Sequence, residues 1–225
     1  MSRPDLHAIR QASLPLGDDA PAALPPGFRH LPGRLGPDAQ AALLADVLAA
    51  MAAAGWFQPT MPRSGRPLSV RMGNLGPLGW VSDRAGYRYQ PHHPDTGRPW
   101  PPLPGVLLDL WQAVADHPHP PEACLVNLYR PGARMGLHQD RDEQDLAAPV
   151  VSVSLGDDAL FRLGGLTRSA PTRSMVLRSG DVVVLGGDSR LRFHGVDRIL
   201  PGTSDLVPGG GRINLTLRRV TLPAG

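Results

Sequence analysis

Two short segments carry side chains whose types and spacing suit metal binding. His138 and Asp140, in "LHQDRDE", stand two positions apart. In extended backbone both project to the same side, within reach of one ion. Alone the pair is weak evidence, because imidazoles and carboxylates at that spacing are common on solvated turns. His194, in the strand-like run "LRFHGV", is a third candidate. Two histidines and one carboxylate, with no fourth ligand type nearby, suit an open octahedral site of the non-heme iron kind. A structural zinc site prefers four closed N/S ligands, and the only cysteine, Cys124, does not supply them. His92, His93, His117 and His119 fall in proline-rich turns and read as solvated.

The last strand-like run, "RINLTLRRV", adds a second element. Period-two alternation places Arg212, Asn214, Thr216 and Arg218 on one face and Ile213, Leu215 and Leu217 on the other. The plain reading of such a polar face is solvent. The functional reading is the wall of a barrel that binds an anion, since a guanidinium holds a carboxylate through two parallel hydrogen bonds. Asn127 and Tyr129 in "VNLYRPG" share a face in the same way.

These groups need a rigid support, and the second half of the chain reads as one. "ACLVNLYR", "PVVSVSLG", "ALFRL", "RSMVLR", "DVVVLG", "LRFHGV" and "RINLTLRRV" are short β-branched runs separated by Gly, Pro and Asp. That rhythm predicts an antiparallel sandwich or barrel, not alternating βα units. Upstream, "PDAQAALLADVLAAMAAAGW" has helical spacing, with Asp38 as a cap and Gly55 as a stop. "LSVRMGNLG" reads as a strand, and a second helix is expected from Pro104 to about Asp116. Between them, "LGWVSDRAGYRYQPHHPDTGRPWPPLP" lacks a sustained period and reads as a structured loop with short strands. Residues 1–36 read as an irregular arm.

The chain has 225 residues, a formal net charge of +3 and 41% hydrophobic residues, enough for a real core. All its basic residues are arginine, which with the abundant Ala, Gly and Pro reads as codon bias. The charge allows a polyanionic partner without demanding one. No window approaches ~18 uninterrupted apolar residues, so no membrane association is expected. The N-terminus lacks the apolar stretch of a secretory signal, and one cysteine excludes a disulfide framework. The expected location is the cytoplasm.

The combination of "NLYRPGARMGLHQDRDE", "APVVSVSLGD", "GDVVVLGGDSRLRFHGV" and "RINLTLRR" resembles the AlkB family of Fe(II)- and 2-oxoglutarate-dependent dioxygenases, from about Trp56 to Val220. The resemblance implies a mostly β fold with flanking helices: a double-stranded β-helix, or jelly roll, with an N-terminal extension and a nucleotide-recognition lid. One dioxygenase domain would occupy 37–225, with the lid at about 68–102 and the jelly-roll core at about 120–220. His138, Asp140 and His194 would ligate iron. Arg212 and Arg218 would hold 2-oxoglutarate, with Asn127, Tyr129 and Asn214 completing its pocket and O2 as the second cosubstrate. Trp80 and Tyr87, with Tyr89 nearby, would wall a flipped base, and Asp142 would contact its edge. Arg134, Gln139 and Arg168 would approach the nucleic-acid strand.

The implied activity is oxidative demethylation of N-alkylated bases of the 1-methyladenine and 3-methylcytosine type. It would act on single- or double-stranded DNA, with RNA as a second substrate class, and repair alkylation by direct reversal. The enzyme would be a monomer. Asp83 departs from the family pattern by placing an acid in the lid. The residues themselves leave other readings open. Trp80 and Tyr87 also suit a core, Arg168 a solvated loop, and Asp142 with Glu143 a charged turn. Three other functions compete: a related dioxygenase of RNA, protein or small molecules, a cupin-like metal enzyme without 2-oxoglutarate, and a non-catalytic nucleic-acid-binding module.

Overall fold

The alternation in "RINLTLRRV" is realised in β12 (Arg212–Arg218), whose seven residues are all buried. A strand with an apolar face and a charged face, both out of solvent, has to lie between two other layers. The computed structural model describes residues 23–223 and contains those layers. On one side of β12, Ile213, Leu215 and Leu217 pack with two helices, α1 (Pro37–Ala54) and α2 (Gly105–Val114). The charged face looks the other way, into a cavity.

β12 pairs antiparallel with β5 (Ala123–Tyr129) on one edge and β7 (Val150–Gly156) on the other. β2 (Arg71–Leu75) extends the sheet beyond β5, while β10 (Val182–Leu185) and then β1 (Phe28–Leu31) extend it beyond β7. The six-stranded order is β1-β10-β7-β12-β5-β2. A second sheet contains β6 (Met135–His138), β8 (Asp158–Leu163), β9 (Arg173–Leu177) and β11 (His194–Leu200), in the order β6-β11-β8-β9. From β5 onward the chain passes repeatedly between the two sheets, an antiparallel sandwich as the run of short strands predicts, with the jelly-roll topology that the family resemblance implies. Phe161 and Leu163 of the small sheet meet Tyr129, Val183 and Leu185 of the large one in the space between.

The helices close the outer face of the large sheet. Leu43, Leu44, Val47, Met51 and Ala54 of α1 are buried there. Each fully buried aliphatic side chain contributes about 1.5–3 kcal/mol, against about 1 kcal/mol for a side-chain cap. The apolar face therefore holds α1 in place, although its N-terminus has no side-chain cap. This corrects one expectation. Asp38 lies in the first turn, not at the N-cap, which is Gly36; Pro37 occupies the first helical position, where its missing N–H costs nothing. Gly55 ends the helix at φ 96°, with its N–H donating to the Met51 carbonyl. By length and composition alone α1 could cross a membrane, but here its apolar face lies within the core shared with the sheet.

The segment read as an irregular arm also differs from expectation. Residues 28–31 form β1, an edge strand paired with β10, and His30 Nε2 lies 2.9 Å from Asp181. Residues 1–22 of that arm lie outside the described residues. The aromatic loop contains a two-stranded hairpin, β3 (Gly79–Asp83) and β4 (Gly86–Gln90). Gly79 is required at its base, where a Cβ would fall 2.4 Å from the Trp100 indole nitrogen.

Candidate active site

β-Sheet register brings the two histidines together. His138 ends β6, His194 begins β11, and the two are direct cross-strand partners. Their ring centroids are 4.6 Å apart. Asp140, two residues past His138, places Oδ1 3.7 Å from His138 Nε2 and Oδ2 3.6 Å from His194 Nε2. Potential ligand atoms of these side chains all lie within 4.8 Å of one another.

The imidazoles are aimed by the backbone. His138 Nδ1 lies 2.9 Å from the Gly136 carbonyl, and His194 Nδ1 lies 3.0 Å from the Arg192 carbonyl. A carbonyl only accepts, so each Nδ1 carries the proton and each Nε2 keeps its lone pair for the shared space. Burial, and then the neighbouring His138, push the His194 imidazole down to about 4, which keeps it in the neutral, metal-binding form. Burial would raise the Asp140 carboxyl. The Arg218 guanidinium, then His194, His138 and Arg190, outweigh that and hold it well below the usual carboxylate range. Oδ2 of Asp140 is buried without a hydrogen-bond partner.

The polar face of β12 lines one wall of a cavity of about 660 Å3 that also contains the His138, Asp140 and His194 side chains. Arg218 Nη2 lies 3.1 Å from Asp140 Oδ1, while Arg218 Nη1 has no partner. Arg212, 1% exposed, donates from Nη2 to Ser154 Oγ at 2.6 Å, and its Nε is unpartnered. Burial pushes its guanidinium down to about 10, so it stays charged at neutral pH. Asn214 donates to Ser152 Oγ at 2.7 Å and accepts from Thr216 Oγ1 at 3.0 Å. Asn127 presents a buried, unpartnered Oδ1, and Tyr129 is 3% exposed beside it on β5. The solvent reading of this face is therefore wrong; its charged groups are buried and incompletely partnered.

The hairpin stands at the cavity mouth. Trp80 and Tyr87 stack on each other with centroids 5.6 Å apart and planes 17° from parallel. Trp80 Nε1 donates to Asp142 Oδ2 at 2.9 Å. Trp80 is half-buried and Tyr87 is 49% exposed, so neither is a core aromatic. Asp83, the departure noted in the sequence, sits near the hairpin turn, where Arg88 grips it with two hydrogen bonds of 2.9 and 2.8 Å. Being solvent-exposed, that pair contributes little energy. It ties the turn together, so the acid does not face the cavity as a bare charge.

Other expected residues are placed less uniformly. Arg168 is exposed at the rim, with its guanidinium carbon 5.2 Å from the Phe193 ring centre. Gln139 lines the cavity but donates to the Leu191 carbonyl. Arg134 lies outside it, in a neighbouring cleft with Arg162 and Asp197. Tyr89 lines the cavity, but its hydroxyl donates to Glu143 instead of standing free for a base. Glu143 is a buried junction, and the charged-turn reading misses it. Arg190, which the sequence reading did not single out, is 3% exposed and ties Ala148, Asp140 and Glu143 together. His93 is also misread, being buried against Phe57 and Trp100 at the hairpin base. His117 pairs with Asp145 at 3.3 Å.

A family profile described as the 2OG-Fe(II) oxygenase superfamily matches residues 27–218. The chain is 60% identical over 199 residues to an alpha-ketoglutarate-dependent dioxygenase AlkB homolog of Caulobacter vibrioides, covering 88% of this chain and 90% of that one. The chain belongs to the AlkB family. To alpha-ketoglutarate-dependent dioxygenase AlkB of Escherichia coli K12, this AlkB-family chain is 46% identical over 167 residues, covering 72% of itself and 77% of the relative. The solved structure of OsALKBH1 superposes with a TM-score of 0.73 at 34% identity, covering 88% of this chain and all of that one.

Membership makes the protein a 2-oxoglutarate- and Fe(II)-dependent dioxygenase. The site fits both groups. Two imidazoles and a carboxylate oxygen without a partner face one space, and unpartnered guanidinium nitrogens line the same cavity.

Proposed function

We propose that the enzyme demethylates N-alkylated bases in nucleic acid by oxidation, DNA lesions of the 1-methyladenine and 3-methylcytosine type being the preferred substrates. His138, Asp140 and His194 hold Fe(II). Arg218, seated against Asp140, takes the 2-oxoglutarate carboxylate nearer the metal, and Arg212 the distal one, with Asn127, Tyr129 and Asn214 completing the pocket. When bound, Fe(II) with 2-oxoglutarate and O2 supplies the oxidising power, yielding succinate and CO2, and the oxidised N-methyl group leaves as formaldehyde.

The observation that carries the substrate assignment is the Trp80–Tyr87 stack with Asp142 at its edge, on a hairpin over the metal-binding cluster. Bases methylated at these positions carry a positive charge. An aromatic face beside a carboxylate favours a flat cation over a neutral base. Such bases pair poorly, so extruding them from a helix costs less. Arg168 at the cavity rim and Arg134 in the neighbouring cleft are both exposed and offer cations to the phosphates of a bound strand. The chain's own groups thus bind and orient; no general acid or base is assigned.

The test is succinate and formaldehyde release with a panel of oligonucleotides: 1-methyladenine or 3-methylcytosine in single-stranded DNA, duplex DNA and RNA, plus unmethylated controls. Stimulation by methylated DNA above RNA supports the reading. Succinate release that no methylated oligonucleotide stimulates would favour a related dioxygenase of another substrate class.

Trp80→Ala gives a narrower expectation. Losing one stacking partner costs ~1–3 kcal/mol per base, so demethylation of a methylated oligonucleotide should weaken about 5- to 150-fold. Binding of 2-oxoglutarate should be nearly unchanged. Because Trp80 is half-buried on a hairpin, the loss of ~3–5 kcal/mol that follows emptying a core site is not expected. Thermal midpoint, 2-oxoglutarate affinity and demethylation should be measured side by side. A parallel fall in all three would return Trp80 to the core.

A further inference from the structure

A buried network runs from the hairpin to Asp140 without passing through the metal-facing atoms. On β4, the Tyr89 hydroxyl donates to Glu143 Oε1. Burial raises the Tyr89 phenol well above its ordinary value, which keeps it a donor. Glu143, 6% exposed, accepts from Arg190 Nη2 through Oε2 at 3.0 Å. Its Oε1 lies 3.3 Å from Arg218 Nε, an ion-pair distance without hydrogen-bond alignment. The same two arginines hold Asp140. Arg218 Nη2 sits 3.1 Å from its Oδ1, and Arg190 Nη1 donates to its main-chain carbonyl at 2.5 Å.

Both the side chain and the backbone of Asp140 are therefore held by guanidiniums that Glu143 holds. Two carboxylates balance two guanidiniums, all buried. Such a set is stable only when every member stays in place, because losing one leaves an uncompensated charge. The hydroxyl from the hairpin completes it. No comparable anchor is needed merely to fasten the hairpin, since Asn74 already bonds the Trp80 backbone from both its side-chain oxygen and nitrogen, at 3.0 Å each.

We propose that Glu143 is a positioning residue that couples closure of the β3–β4 hairpin to the orientation of Asp140, acting through Arg218 and Arg190. The proposal rests on Asp140 being a metal ligand. With Tyr89 docked, Glu143 fixes Arg218, Arg218 occupies Oδ1, and Oδ2 is left to the metal. With the hairpin lifted, Glu143 Oε1 loses its donor and Arg218 loses its fixed counter-ion. Coupling between two sites is reciprocal. A metal ion that fixes Asp140 must then favour the closed hairpin to the same degree that the closed hairpin favours the metal.

The experiment uses Mn(II) alone as the probe, under conditions without turnover. Mn(II) affinity is measured for wild type, Tyr89→Phe, Glu143→Gln and the double variant, and hydrogen exchange over residues 79–90 is followed with and without Mn(II). Tyr89→Phe removes one oxygen on the hairpin and touches no metal ligand. It should weaken Mn(II) binding about fivefold, the lower end of measured couplings, and abolish the slowing of hairpin exchange by Mn(II). On the Glu143→Gln background it should change nothing further. Wild-type Mn(II) affinity in Tyr89→Phe, or losses that simply add in the double variant, would overturn the proposal. If Glu143→Gln does not fold, Tyr89→Phe alone decides. His138→Ala separates the two readings. Loss of Mn(II) there, with Tyr89→Phe neutral, removes only the coupling. Retention of Mn(II) there removes the metal site and the coupling together.

Discussion

His138→Ala and Asp140→Ala are both expected to abolish succinate formation, yet only Asp140→Ala should lower the thermal midpoint of the metal-free protein. The difference follows from what each side chain does before any metal arrives. The His138 side chain is 39% exposed, and its one hydrogen bond is to a neighbouring carbonyl. Substitutions at such positions usually stay within about 0.5 kcal/mol. The Asp140 side chain is 8% exposed and faces the buried Arg218 guanidinium at 3.1 Å. Removing one partner of a buried ion pair costs ~3–5 kcal/mol, because the other charge is stranded. Glu143, 3.3 Å from Arg218 Nε, should keep the loss near the lower end. At ~2–4 °C per kcal/mol for a chain of this size, the midpoint should fall by about 6–12 °C. The measurements are scanning calorimetry in chelator and succinate release with Fe(II). Turnover surviving in His138→Ala would remove that residue from the ligand set. Equal midpoints for the two variants would show that Arg218 does not depend on Asp140.

The parts legible in the sequence were those that repeat with a fixed period. Alternation in "RINLTLRRV" identified both faces of β12, and the structure adds only that both are buried. The short β-branched runs indicate an antiparallel sandwich or barrel for the same reason, since strand faces alternate every two residues whatever the neighbours are; the jelly-roll topology came from the family resemblance. The pairing of His138 with His194 is not periodic information. It depends on the β6–β11 register, which includes an irregularity between His194 and Val196. The sequence supplied the residue types, and family resemblance supplied their meeting.

What stayed hidden depends on contacts distant in sequence. Glu143, next to Asp142 in "DRDEQ", looks like any turn acid until Arg190, Arg218 and Tyr89 converge on it from three separate elements. One signal was available: the chain has only two glutamates, and this is one of them. His93 was read as solvated from its proline-rich surroundings. A turn fixes backbone direction but says nothing of whether Phe57 and Trp100 lie over it. β1 was missed because an edge strand paired on one side needs only four residues and no strong alternation, and "FRHL" offers little.

Arg212→Lys is expected to weaken 2-oxoglutarate binding by about 30-fold or more while leaving Mn(II) affinity unchanged. The guanidinium is buried at the opposite end of β12 from Arg218, and it contacts none of His138, Asp140 and His194. Its recorded partners are Ser154 Oγ at 2.6 Å and the carbonyls of Asp157 and Leu177 at 3.4 and 3.5 Å. Those contacts alone would make it a strut between β12, β7 and β9. A strut does not require a full charge, and its Nε would not be left buried without a partner. An anion in the cavity accounts for both. Lysine preserves the charge but loses the planar fork, so it cannot hold a carboxylate through two parallel bonds. Breaking a desolvated charge-assisted pair costs ~2–5 kcal/mol, which is about 30-fold to several thousand-fold in affinity. Arg218→Lys supplies the contrast, because Arg218 also holds Asp140. That variant should lose affinity for Mn(II) and for 2-oxoglutarate together. Calorimetric titration of 2-oxoglutarate into the Mn(II) form of each variant reads the difference directly. A wild-type curve for Arg212→Lys would mean that the guanidinium only braces the sheets, and the distal carboxylate would then need another partner in the cavity wall.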